Sequence, residues 1–254
     1  MSLIVLTSAG HSPGVSTTAL GLALSWPRPV LLVDADPHPS QSVLAGYLQG
    51  ADPFGTGLWA LLAAHRERRA VAEALPQAVL DLPSTDDVPR HFLPGFANPG
   101  MVELFAPVWP EFAAVLASGP ADVIVDAGRL DNRGLPPALL GEADVVQVVT
   151  RTSLVDLVQL RLYLPLLGSL APRQVGLLLV GPGRPYTTPE IGRQFGVEQL
   201  SSLPWAPKDA AVWSHGAPAG RRFAAGRLAR AVARIAQELA GELASRQERI
   251  GVPR

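Results

Sequence analysis

The chain has 254 residues, enough for one large domain or two small ones, and 48% of them are hydrophobic, ample for a buried core. A formal net charge of −1 gives no general pull toward nucleic acid or an anionic membrane, and the absence of cysteine excludes disulfides, thiolate metal sites and a cysteine nucleophile. No apolar run approaches the roughly 20 residues of a membrane span. Met1 to Leu3 lead straight into an apolar stretch, so no signal peptide and a cytoplasmic location are expected.

Leu3 to Thr7 is a short, β-branched apolar run that reads as a buried strand, and Ala19 to Trp26, rich in Ala and Leu, reads as a helix. Pro27-Arg28-Pro29 stops it, and Val30 to Val33 is a second buried strand ending in Asp34-Ala35-Asp36-Pro37-His38. Ser40 to Leu48 is a short helix. Leu58 to Leu75 is expected as one helix, ended by Pro76, with a solvated face at Arg66-Glu67-Arg68-Arg69. A Pro- and Asp-rich loop at Pro83 to Pro89 precedes an edge strand, Arg90 to Pro94. Helical stretches interrupted by prolines run from Met101 to Ala117.

Ala121 to Val125 is a third core strand, ending in Asp126-Ala127-Gly128-Arg129. Leu135 to Leu140 is a short helix, Asp144 to Thr150 a fourth strand, and Leu154 to Leu167 an amphipathic helix. Gln174 to Val180 is a fifth strand; Thr188 is expected to cap a helix over Pro189 to Phe195. Gln199 to Leu203 is a short strand, Lys208 to Ser214 is helical, and a long helix runs from Arg222 to about Gln247. Strands that are continuously apolar and alternate with helices predict an α/β fold in three layers: a mostly parallel sheet with helices on both faces. One domain over residues 1–245 with a tail at 246–254 is expected.

The first loop, Ser8 to Thr18, has the strand–loop–helix setting in which backbone N–H groups and a helix N-terminus hold phosphates. The pattern G-x-x-x-x-G-K-[ST] maps onto Ala9 to Ser16 with Gly14 and Ser16 in place, but Ala9 replaces the first Gly and Val15 the phosphate-binding lysine. Lys208 is the one lysine in the sequence and lies far from this loop. The bland alternative is a tight turn whose Ser16, Thr17 and Thr18 hydroxyls cap a helix. Asp34, Asp36 and Asp126 stand at strand ends that face one crevice, where open α/β sheets bind ligands. They form either a magnesium site with Ser16 or ordinary turn caps. His11 and His38 lie near the same crevice without the spacing of a compact metal motif.

Together, Gly14-Val15-Ser16-Thr17-Thr18, Val33-Asp34-Ala35-Asp36-Pro37 and Val123-Ile124-Val125-Asp126-Ala127-Gly128, in this order and spacing, resemble the ParA/MinD family of deviant Walker A P-loop ATPases. The later strand at Val145 to Thr150 and the Leu203-Pro204-Trp205 turn resemble it too, so the likeness spans roughly residues 1–245. It implies a P-loop NTPase-like fold and ATP or ADP with magnesium as cofactor. Its signature lysine falls on Gly10 and its second lysine on Val15; its two early glycines fall on His11 and Ser12, and its variable position on Pro13. The nucleotide-binding residues so implied are Gly10, His11, Ser12, Gly14, Val15, Ser16 and Thr17. Ser16 matches the magnesium-coordinating hydroxyl, Asp126 the Walker B carboxylate and Asp36 the acidic residue that positions water where hydrolysis is retained. Asp34 joins Ser16 and Asp126 as a metal candidate.

Both family lysines are therefore missing, at about 1.5–3 kcal/mol for each charge-assisted hydrogen bond lost. Pro13 also removes a backbone donor from the cradle. Arg129 and Arg133, just beyond the third strand, are the candidates to restore the charge; the alternative for Arg129 is a surface ion pair. No Asn follows the fifth strand to read adenine, where Val180-Gly181-Pro182-Gly183 stands.

The reading is a positioning or assembly factor with a degenerate P-loop. It is a weak or non-hydrolysing nucleotide binder, a pseudo-ATPase, that dimerises and engages a protein partner or cargo. Its setting would be DNA segregation, cell-pole or septum placement, or localisation of a pilus or secretion machine. The alternatives are an active ATPase in which arginines replace the lysines, and a ligand-free interaction scaffold. Arg227, Arg230 and Arg234 on the last helix read as a solvated face or as a contact to membrane or DNA. Leu228, Val232, Ile235, Leu239 and Leu243 form its apolar side, and Tyr186, Trp205 and Trp213 an apolar patch.

Overall fold

Strands that are apolar at every position need cover on both faces, and the chain supplies it. The computed structural model describes residues 1–10, 12–83, 86–130, 134–170 and 174–251. Among them, eight strands form one sheet: β1 (Leu3–Ser8), β2 (Val30–Asp34), β3 (Leu80–Asp81), β4 (Arg90–Leu93), β5 (Asp122–Arg129), β6 (Val145–Arg151), β7 (Val175–Val180) and β8 (Leu200–Leu203). Their order is β3-β4-β2-β5-β1-β6-β7-β8, parallel throughout except for the two-residue β3. The three-layer α/β expectation holds.

The α-helices are α1 (Val15–Leu24), α2 (Gly57–Arg66), α3 (Val71–Ala78), α4 (Gly100–Leu104), α5 (Trp109–Ser118), α6 (Pro137–Glu142), α7 (Leu154–Leu170), α8 (Thr188–Phe195), α9 (Pro207–Ser214) and α10 (Arg227–Ile250). Alternation along each strand splits the core in two. Ile4, Leu6, Leu32, Ile124 and Leu178 meet α1, α9 and α10 on one face, where Leu228, Val232, Ile235, Leu239 and Leu243 are all buried as expected. Leu3, Val5, Val33, Val125 and Leu177 meet α2, α3 and α5 to α8 on the other. There Phe105 packs edge-to-face on Phe96, Trp109 and Phe112, with centroids 5.2–5.8 Å apart.

Several expectations need correction. The helix expected over Leu58 to Leu75 is two. Arg68 turns left-handed (φ 59°), Arg69 N–H donates to the Ala64 carbonyl and Arg68 N–H to that of His65, a Schellman end without glycine. The chain restarts at α3, whose Val71 N–H donates to Glu111 of α5 at 2.8 Å, and Pro76 lies inside that helix. The strand at Arg90 is not an edge: β3 pairs beyond it. The cap of α8 is Thr187, in a capping box with Glu190, not Thr188. The last helix starts at Arg227 rather than Arg222 and runs on to Ile250, past the boundary expected at residue 245. α7 is not amphipathic in the expected sense, because Leu154, Val155, Val158, Leu162 and Leu166 are exposed on its outer face.

Candidate functional site

β1 lies in the middle of the sheet, with β5 on one side and β6 on the other, and the chain leaves it in opposite directions. That reversal opens a crevice at the carboxyl ends of the strands, and the β1–α1 loop sits in it. Ser12 (φ 45°) and Gly14 (φ 102°) both adopt left-handed backbone there, and Gly14 is the N-cap of α1. Thr18 N–H closes the first turn on the Gly14 carbonyl at 2.9 Å. Gly14 has no side chain to cap the turn, so among the described residues its leading N–H groups are left for an external acceptor.

The two positions of the missing lysines have been absorbed by packing. Val15 is buried in the cluster beneath α1. Gly10 lies under the Gln159 side chain of α7: a Cβ at residue 10 would fall 1.8 Å from Gln159 Oε1.

The carboxylates expected in the crevice are brought together. Asp34 and Asp126 are register partners on β2 and β5, and both are buried. Asp126 accepts the Gly128 N–H at 3.0 Å, and Asp34 accepts the Asp36 N–H at 3.2 Å. Asp36 accepts the His38 N–H at 2.8 Å, with His38 Nδ1 at 3.5 Å. Gly128, at φ 60°, makes room for Asp36, whose carboxylate would lie 2.1 Å from a Cβ there. Gly95 does the same for Asp34.

Burial dominates the electrostatics. It pushes Asp34 well above the usual carboxylate range, helped by the charge of Asp126. It pushes Asp126 up to about 6, against hydrogen bonds from the Ser16 side chain and the Gly128 N–H. Asp36 is raised by burial as well, opposed by His38 and by the charge of Arg129. These shifts mark buried negative charge short of compensating cation.

Arg129, expected to restore charge to the phosphate loop, is the last residue of β5, and its charge acts on Asp36. His11 and Arg133 lie outside the described residues. Sequence reasoning missed Arg151, at the end of β6, whose Nη2 donates to the Ser12 carbonyl at 3.1 Å. The signal was available: β6 is adjacent to β1, so its last residue must meet the loop that follows β1. Arg151 also packs over Trp205, 5.3 Å from the ring centre. Trp205 and Trp213 line one cleft of about 230 Å³ beside the loop, together with Gly14 and Thr17. Tyr186 lines a separate one against α7 and α8.

The donor set tests which groups the crevice fits. Two buried carboxylates and a hydroxyl are hard oxygen ligands of the kind magnesium takes, with water and phosphate completing the shell. Among the described residues no three His, Asp or Glu side chains converge as a closed metal cage. The loop backbone fits a phosphate, while neither position of the missing lysines can supply charge.

Fold and strand order define the chain as having the P-loop NTPase fold of MinD and ParA-family ATPases. MinD of Pyrococcus horikoshii, solved in complex with Mg-ADP, superposes with a TM-score of 0.71 at 22% identity, over 95% of this chain and 98% of that one. A ParA family ATPase of Chlorobium tepidum gives 0.72 at 17%, over 94% and 98%. A chain of the MinC:MinD cell division protein complex of Aquifex aeolicus gives 0.68 at 18%, over 95% and 96%. No protein-family model matches the sequence, and no curated protein does. Among the described residues no helix is long and apolar enough to cross a membrane.

Proposed function

We propose that this chain is a ParA/MinD-like positioning or assembly factor. Its degenerate P-loop binds a nucleotide with magnesium weakly or without efficient hydrolysis, and it works as a dimerising adaptor for a protein partner or cargo. The observation that carries the reading is the combination of a kept acidic crevice with a loop whose lysine positions have been taken over by packing. Asp34, Asp36, Asp126 and Ser16 remain assembled, while Val15 is core and Gly10 is covered. A phosphate bound at the start of α1 and a magnesium ion held by Ser16, Asp34 and Asp126 would neutralise one another. The metal would supply the positive charge that the buried carboxylates lack.

The exposed apolar stripe Leu154, Val158, Leu162 and Leu166 supports association with a second copy. It belongs to the helix that carries Gln159, so the stripe and the loop are joined through the Gln159–Gly10 contact. The septum site-determining role of the compared MinD supports a positioning role over a metabolic one.

The deciding experiment is calorimetric titration of the protein with ATP and ADP, with and without magnesium, while sedimentation follows its size. Micromolar to millimolar binding that needs magnesium and shifts the protein to a dimer, with negligible phosphate release, is the expected result. Steady phosphate release would place the chain among working ATPases; no binding at millimolar nucleotide would leave it a ligand-free scaffold.

A further inference from the structure

A loop that holds phosphates needs a cation, and the two lysine positions supply none. The nearest candidate lies on another strand. Arg151 Nη2 is anchored on the Ser12 carbonyl, while its Nε is buried and meets no acceptor among the described residues. Arg184, in the turn after β7, approaches the same Trp205 ring, 5.9 Å from its centre, beside Arg151 at 5.3 Å. Neither guanidinium meets a carboxylate among the described residues.

A buried cationic N–H without an acceptor carries a desolvation cost. Arg184 is exposed to solvent, so the uncompensated charge is that of Arg151, which stacking on an aromatic face only partly offsets. An anion in the adjoining cleft, which Arg151 lines together with Gly14, Thr17 and Thr18, satisfies the Arg151 guanidinium. Guanidinium is the side chain suited to this, since its planar fork matches phosphate oxygens and stays charged at any physiological pH.

We propose that Arg151, braced on Trp205, is the phosphate-binding cation of this site, carrying the charge that Val15 does not, and that its ligand is the phosphate chain of a nucleoside di- or triphosphate. This rests on the nucleotide reading above and adds which residue makes it work. It also differs from the sequence-based expectation, which looked to Arg129 and Arg133. The charge of Arg129 acts on Asp36, whereas Arg151 meets no carboxylate among the described residues and contacts the loop itself.

The test is calorimetric titration of wild type, Arg151→Ala, Arg151→Lys and the exposed-arginine control Arg66→Ala with magnesium ADP, magnesium ATP and magnesium pyrophosphate. Thermal melts run alongside to confirm folding. The expected result is a loss of about tenfold to a hundredfold in affinity for Arg151→Ala, in line with a charge-assisted contact. Partial recovery in Arg151→Lys, which keeps the charge and loses the fork, and no change in Arg66→Ala complete the pattern. Pyrophosphate bound in the same Arg151-dependent way supports recognition of the phosphate chain itself. ADP affinity that stays within twofold in Arg151→Ala overturns the assignment and leaves the nucleotide reading standing. Absence of binding by wild type to all three probes at millimolar concentration overturns both.

Discussion

Asp34 and Asp126 face each other in register across β2 and β5, both buried and both held above the ordinary carboxylate range. The arrangement costs stability in the absence of a ligand. Asp126 titrates near 6 in the folded protein against an ordinary 3.8. Between those values the folded state keeps a proton that the unfolded chain has released. Stability therefore falls as pH rises through that window, and the loss is complete above it. Asp126→Asn keeps an oxygen acceptor for Gly128 and removes the charge. At pH 7.5, without nucleotide or metal, it is expected to gain about 2–3 kcal/mol, roughly 5 °C or more in Tm, and to flatten the fall in Tm between about pH 4 and 6. Thermal melts across that range check it; an unchanged or lower Tm at pH 7.5 would falsify the idea that the pair is strained.

A different carboxylate holds the opposite end of the sheet. Asp122 begins β5 and accepts from the Ser2 N–H, the Trp26 indole N–H and Arg28 Nε, each at 2.8 Å. It ties β1, the end of α1 and the β2 approach to one point. Asp122→Ala leaves buried donors unpaired and is expected to cost about 3–5 kcal/mol, measured as a reduced denaturation midpoint. Asp122→Asn, which keeps one acceptor, should lose clearly less. Equal midpoints for Ala and wild type would show that this network is not a stability element.

How much of this was legible in sequence follows from how local each cause is. The core strands and the crevice acids were legible, because apolar runs ending in Asp are local patterns and a parallel sheet gathers strand ends on one side. The break after Arg66 was not, because its stop signal is an arginine in left-handed backbone and its restart is capped by Glu111, forty residues away. The edge at β3 is two residues long and exists through pairing with β4 alone. Arg151 is not legible in the motif segments, because its proximity to the first loop depends on strand order. The apolar spacing of α7 reads as an amphipathic helix, yet only Asp156 and Arg161 in the helix are charged, and Asp156 is buried.

The Arg68 turn offers a direct stability test. A side chain in left-handed backbone costs roughly 1–2 kcal/mol relative to glycine, which takes that conformation freely. Arg68 is exposed, and its φ is 59°. Arg68→Gly is expected to raise stability by up to about 1 kcal/mol, a few degrees at most in Tm, after the entropy glycine adds to the unfolded chain. Glu111→Ala, which uncaps α3, is expected to lower it by about 1 kcal/mol. Chemical denaturation of both variants checks the pair of signs; destabilisation by Arg68→Gly would mean that the arginine side chain contributes more than its backbone costs.

Gly10 and Gln159 give the last prediction. A Cβ at residue 10 meets Gln159 Oε1 at 1.8 Å and its Cδ at 2.7 Å, so the loop can gain a side chain there only if Gln159 moves. Gln159 Oε1 is buried and has no hydrogen-bond partner among the described residues. Gly10→Ala displaces the tip of a flexible side chain and is expected to cost about 1 kcal/mol, and Gln159→Ala little, since it removes an unsatisfied oxygen while opening space. Combined, the two should recover most of the loss, leaving a coupling energy of up to about 1 kcal/mol in a double-mutant cycle. Gly10→Lys should follow the same rule, tolerated with Gln159→Ala and costly without it. Additive losses across the cycle would mean that Gln159 yields freely, and that this position lacks a lysine for some reason other than the side chain lying over it.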